Sequence, residues 1–84
     1  MTNMADVLAT AHANGWKPTL PDNTRVVFTK PYGQLGTEEL DVYLTRHRPP
    51  RLLHAWRTVT TATSTLTERT TSYDRVIEIL NQEA

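Results

Sequence analysis

Apolar positions along this chain change period from helical to alternating and back. Met4, Val7, Leu8 and Ala11 fall at i, i+3, i+4 and i+7, one stripe of a helix. Thr2 or Asn3 can cap its start, and Asp6 places an anion in the first turn, where the helix dipole favours it. Asn14-Gly15 supplies a left-handed stop and Pro18 blocks continuation, so the spacing predicts a helix over about 4–14. Trp16, just past that end, is placed to cover the edge of a core.

Pro18 to Asn23 reads as turn chemistry, with two prolines followed by Asp-Asn. Thr24–Thr29 is rich in β-branched residues and reads as a first short strand. Pro31–Gly36 reads as a loop. Glu39–Arg46 alternates, with Leu40, Val42 and Leu44 on one face and Asp41, Tyr43 and Thr45 on the other, and predicts a second strand. Leu52–Thr60 predicts a third. Proline cannot take the positive φ of a two-residue hairpin turn, so the Arg48-Pro49-Pro50-Arg51 segment predicts a four-residue loop. That loop sets Leu40 opposite Val59, Leu44 opposite Ala55 and Tyr43 opposite Trp56. An odd-length loop with a bulge breaks this register.

Thr60–Thr71 is almost all Thr and Ser. It reads either as a linker or as a chain that turns near Ala62–Ser64 and returns as a fourth strand, for which threonine is well suited. Tyr73, Val76, Ile77 and Leu80 then resume helical spacing, with Thr71 or Ser72 as cap and Asp74 in the first turn. The fold class expected is a two-layer α+β domain of order α-β-β-β-α. Both helices lie on one face of a small antiparallel sheet. Leu40, Val42, Leu44, Ala55 and Val59 should face Val7, Leu8, Val76, Ile77 and Leu80, leaving Tyr43 and Trp56 on the open side.

At 84 residues the chain allows one domain, residues 1–84, with a single modest core. It contains no cysteine, which excludes disulfides and thiolate chemistry and is compatible with a reducing compartment. The first residues lack the basic start and apolar stretch of a signal peptide, and the apolar runs are too short to span a bilayer. The expectation is a cytoplasmic protein without membrane attachment. Formal net charge is zero, but the charges are unevenly placed. From Arg46 to Arg57 there are four arginines, two histidines and no acid, so this window carries +4 and the rest of the chain −4.

Catalytic and metal-binding constellations are not evident. His12 lies beside the apolar stripe of the first helix without partners. His47 and His54 flank the proline segment with no carboxylate to complete a ligand set. No catalytic serine elbow, housed acid pair or phosphate-cradling glycine loop is present. The expectation is therefore no catalytic, cofactor or metal site and no enzymatic activity.

Two resemblances bear on origin and topology. Arg outnumbers Lys by seven to two and Thr occurs at 15 positions, a usage that resembles small accessory proteins of actinobacterial phages. The opening helix, Asn14-Gly15-Trp16 and the strand after a short turn resemble HicA-type toxins over about residues 5–30. That resemblance implies a topology like that of double-stranded-RNA-binding domains. The catalytic histidine those toxins carry before the first strand is replaced here by Asp22-Asn23-Thr24-Arg25, so the resemblance does not extend to ribonuclease activity.

The partner-binding residues expected are Tyr43, Trp56, Arg46, Arg48, Arg51 and Arg57. A one-sided sheet with exposed aromatics marks an interface, here with a host protein or a second copy in a homodimer. The alternative is weak nucleic-acid binding through the basic Arg46–Arg57 hairpin.

Overall fold

The computed structural model describes residues 3–47 and 50–82. They form α1 (Met4–Ala13), β1 (Lys17–Asp22), β2 (Arg25–Tyr32), β3 (Gly36–Leu44), β4 (Leu52–Thr60), β5 (Thr65–Thr70) and α2 (Tyr73–Asn81). The five strands make one antiparallel sheet in the order β1-β2-β3-β4-β5, and both helices supply the core that covers one of its faces. The two-layer α+β class is as expected, with five strands in place of three or four.

Both helices begin on side-chain caps. Asn3 Oδ1 accepts from the Asp6 N–H and Asp6 Oδ2 accepts from the Asn3 N–H, each at 3.1 Å, a reciprocal capping box. Ser72 Oγ accepts from the Arg75 N–H at 3.3 Å. Gly15 has φ +79°, the left-handed value that ends α1. The chain then reverses so that Trp16 is 3% exposed, with its Nε1–H donating to the Leu80 carbonyl at 3.0 Å. This bond ties the end of α1 to the end of α2.

Strand β1 occupies a segment that reads as turn because of Pro18 and Pro21. It is an edge strand, where half the N–H groups face solvent and proline is tolerated, and its pairing with β2 is irregular between Thr19 and Asp22. Turn signals therefore concealed a strand. The Thr-rich segment resolves the other way expected of it: it turns at residues 61–64 and returns as β5.

The β3/β4 register differs from the expected one by two residues. Leu40 lies opposite Arg57, Val42 opposite Ala55 and Tyr43 opposite His54, while Trp56 lies opposite Asp41. The cause is the longer connection between Leu44 and Leu52, combined with a bulge at Leu53. The connection is held where Thr45 N–H donates to Arg51 O at 2.9 Å and Arg51 N–H donates to Thr45 Oγ1 at 3.1 Å. A two-residue shift preserves sidedness, so the strand faces stand as assigned although the partners do not. The bulge also returns Leu52 to the core, where its N–H donates to the Tyr73 hydroxyl at 2.7 Å.

The core comprises Met4, Val7, Ala11 and Trp16 from the first helical region, Val26, Phe28, Leu40, Val42, Leu44 and Ala55 from the sheet, and Val76, Ile79 and Leu80 from α2. Three expected members differ. Val59 is buried but lies outside this cluster, Leu8 is 44% exposed, and Ile77 only flanks the core, whereas Ile79 is fully buried. α2 buries Val76, Ile79 and Leu80, and Tyr73 lies at the core margin, where its hydroxyl accepts from the Leu52 N–H. Among the described residues no helix is long and apolar enough to cross a membrane.

Candidate functional site

Strand alternation sends every second residue to the side of the sheet that the helices leave uncovered. On β2 these are Arg25, Val27 and Thr29; on β3, Glu39, Asp41 and Tyr43; on β4, His54, Trp56 and Thr58; on β5, Thr67 and Arg69. None of them is buried. The register places Arg25, Tyr43 and His54 in one row across three strands, and Val27, Asp41, Trp56 and Arg69 in the next across four.

Side-chain contacts lock the first row. Arg25 grips Asp41 with two bonds, Nε to Oδ1 at 2.7 Å and Nη2 to Oδ2 at 2.6 Å, and its guanidinium lies 5.4 Å from the Tyr43 ring centroid. Tyr43 stacks on His54 with centroids 4.6 Å apart and planes 24° from parallel, and its hydroxyl donates to Asp41 at 3.3 Å. The hydrogen bonds that Arg25 donates to Asp41 raise the Arg25 pKa above its already high ordinary range. Trp56 stands beside this assembly, 41% exposed, with Asp41 on one side and Arg69 on the other.

The structure divides the expected partner-binding residues. Tyr43 and Trp56 share the open face on neighbouring strands, as diagonal neighbours where direct opposition was expected. Arg46 and Arg51 are exposed in the connection between β3 and β4, and Arg48 lies outside the described residues. Arg57 points to the other side of the sheet. Its Nε donates to Glu38 Oε2 at 2.5 Å, with side chains 19% and 1% exposed, and its Nη1 lies 4.0 Å from Glu68. The four arginines are therefore not one patch. Arg57 is a structural counter-ion for a buried carboxylate, a role hidden in the sequence because Glu38 lies 19 positions away.

Arg25, Asp41, His54 and Arg69 belong to the open face and lie outside the expected partner-binding set. Period-two spacing carries the signal for His54, two positions from Trp56, and for Arg25 on the first predicted strand. Arg69 becomes visible only once Thr65–Thr70 is taken as a strand. At the end of the sheet next to Arg25 and Tyr43, Asp22, Thr24, Thr45, Arg46 and His47 line an open pocket of about 770 Å³. Asp22 accepts from the Thr24 N–H at 2.7 Å and from its hydroxyl at 2.8 Å, which holds the carboxyl below its ordinary range. No cluster of three or more His, Asp or Glu side chains suited to a metal ion occurs among the described residues. No family model, curated protein or solved structure matches this chain, so the function is argued from the open sheet face itself.

Proposed function

We propose that this chain is a small non-catalytic interaction module, of the phage or mobile-element type its composition resembles, that takes a protein partner on the open sheet face. The observation that carries this reading is Trp56, 41% exposed at the middle of a face no helix covers. Trp, Tyr and Arg contribute most of the binding energy at protein interfaces when a partner desolvates them, and all three meet here. The Arg25–Asp41–Tyr43–His54 contacts hold their side chains in place before binding, which lowers the entropy lost on association. Lys17, Arg25 and Arg69 share the face with Glu39 and Asp41, a mixture of signs suited to another protein surface.

The nucleic-acid reading has less support. With Arg57 engaged by Glu38, the hairpin keeps at most Arg46, Arg48 and Arg51 for phosphates, so a salt slope no steeper than about −3 is expected.

The test is affinity capture from a host lysate with and without nuclease, using the wild type and Trp56→Ala, alongside fluorescence anisotropy with short DNA and RNA at about 50 mM salt. A protein retained by the wild type and lost with folded Trp56→Ala supports the reading. Retention by Trp56→Ala, or capture that nuclease abolishes, overturns it.

A further inference from the structure

The sheet ends in two edges of different character. β1 carries Pro18 and Pro21 within six residues and pairs irregularly with β2, two features that discourage strand addition. β5 is the opposite case. Thr65–Thr70 contains no proline, is dominated by threonine and pairs with β4 without a register break. Its charges are also occupied where they face the helices. Glu68 accepts from Arg75 Nε at 2.6 Å and Nη2 at 2.7 Å, so its carboxylate does not stand bare at the edge.

The direction of the free backbone groups follows from the turn. Thr61 N–H donates to Ser64 O at 2.8 Å, which makes 61/64 a hydrogen-bonded pair. Bonded and non-bonded pairs alternate along an antiparallel ladder. Val59/Leu66, Arg57/Glu68 and Ala55/Thr70 are then bonded pairs, and the N–H and C=O groups of Thr65, Thr67 and Arg69 point outward.

We propose that this edge pairs with the same edge of a second copy, antiparallel and with the two-fold axis at Thr67, joining two five-stranded sheets into one. The sequence of β5 is self-complementary in this register. Thr67 faces Thr67, Thr65 faces Arg69, and all outward groups of both edges are matched, giving about six backbone hydrogen bonds. Leu66, 66% exposed in the single copy, lies diagonal to its counterpart and is partly covered by it. Moving the axis to Glu68 sets like charges directly opposite, and moving it to Leu66 leaves Arg69 unpaired. The inference is independent of the open-face reading: the paired sheet extends that face across both copies and leaves Trp56 free.

The contact is small, so a micromolar dimer is expected, read by sedimentation velocity on the full chain from about 1 to 500 µM. Thr67→Lys puts like charges at the two-fold and should weaken the dimer at least tenfold while circular dichroism shows the fold retained. Thr67→Cys, in a chain with no other cysteine, should oxidise to a disulfide-linked dimer, and Thr19→Cys on the β1 edge should not. A wild type that stays monomeric across the range overturns the proposal. So does a dimer indifferent to Thr67→Lys but lost in Trp56→Ala, which would place the second copy on the open face.

Discussion

The Arg57 guanidinium donates to the Glu38 carboxylate at 2.5 Å on the helix-covered side of the sheet, one residue along from Trp56, which opens to solvent on the other side. From this pair a chain of alternating charge runs through Glu68 and Arg75 to Glu78. The sequence shows Arg57 as part of a basic hairpin. The fold makes it the partner that permits a carboxylate to be buried.

Removing one member of the pair should therefore cost far more than removing both. Arg57→Ala leaves Glu38 buried without its counter-ion and should lower stability by about 3 kcal/mol, whereas Glu38→Leu combined with Arg57→Met should recover most of that loss. Urea unfolding of the three proteins measures this. Equal losses in the single and double variants would show that the pair is not coupled.

Core substitutions should separate Leu8 from Ile79. Ile79→Ala removes a fully buried side chain and should cost about 2–5 kcal/mol, while Leu8→Ala, at a half-exposed position, should cost less than about 1 kcal/mol. The reverse order in denaturant midpoints would mean that α1 is rotated from the position described.

Acid should weaken the fold partly through Glu68. The hydrogen bonds from Arg75 hold its carboxyl below the ordinary value of 4.5. A carboxyl with a lowered folded-state pKa adds stability that is present above the unfolded value and lost as pH falls through the folded one. Unfolding midpoints between about pH 6 and pH 2 should consequently fall less steeply for Glu68→Gln than for the wild type.

The two tryptophans should report on separate environments. Trp16 is buried against α2 and Trp56 lies on the open face. Trp56→Phe should leave a blue-shifted emission that acrylamide quenches poorly, and Trp16→Phe a red-shifted emission that it quenches readily. Trp16→Phe also orphans the Leu80 carbonyl and should cost about 1–3 kcal/mol. Equal quenching of both variants would contradict the assignment.

Gly36 has a steric role. A Cβ there would meet Tyr32 O at 2.6 Å and Thr60 O at 2.8 Å, both backbone atoms that cannot swing aside. Gly36→Ala should cost about 1–3 kcal/mol in thermal unfolding, and an unchanged midpoint would show that the β2–β3 turn can open.

The sequence by itself determined both helices and where the first one stops, because 3.6-residue spacing and the Gly15 stop act within a few residues, and it narrowed each cap to two neighbours, Thr2 or Asn3 and Thr71 or Ser72. It also determined the sides of β3 and of His54–Thr60 in β4, since alternation survives any even shift in register, but not that of Leu52, which the bulge turns to the core. Only the tertiary structure decided what depends on distant partners. Pro18 and Pro21 signal a turn until β2 provides a sheet whose edge tolerates them. The position of Tyr43 against His54 followed from the Leu53 bulge and a connection whose length local propensity does not specify. The separation of Arg57 from the other arginines depended on Glu38, brought alongside by strand pairing. Local rules act through near neighbours and are written in short stretches of sequence, whereas register, edge position and ion pairing are set by which strands meet.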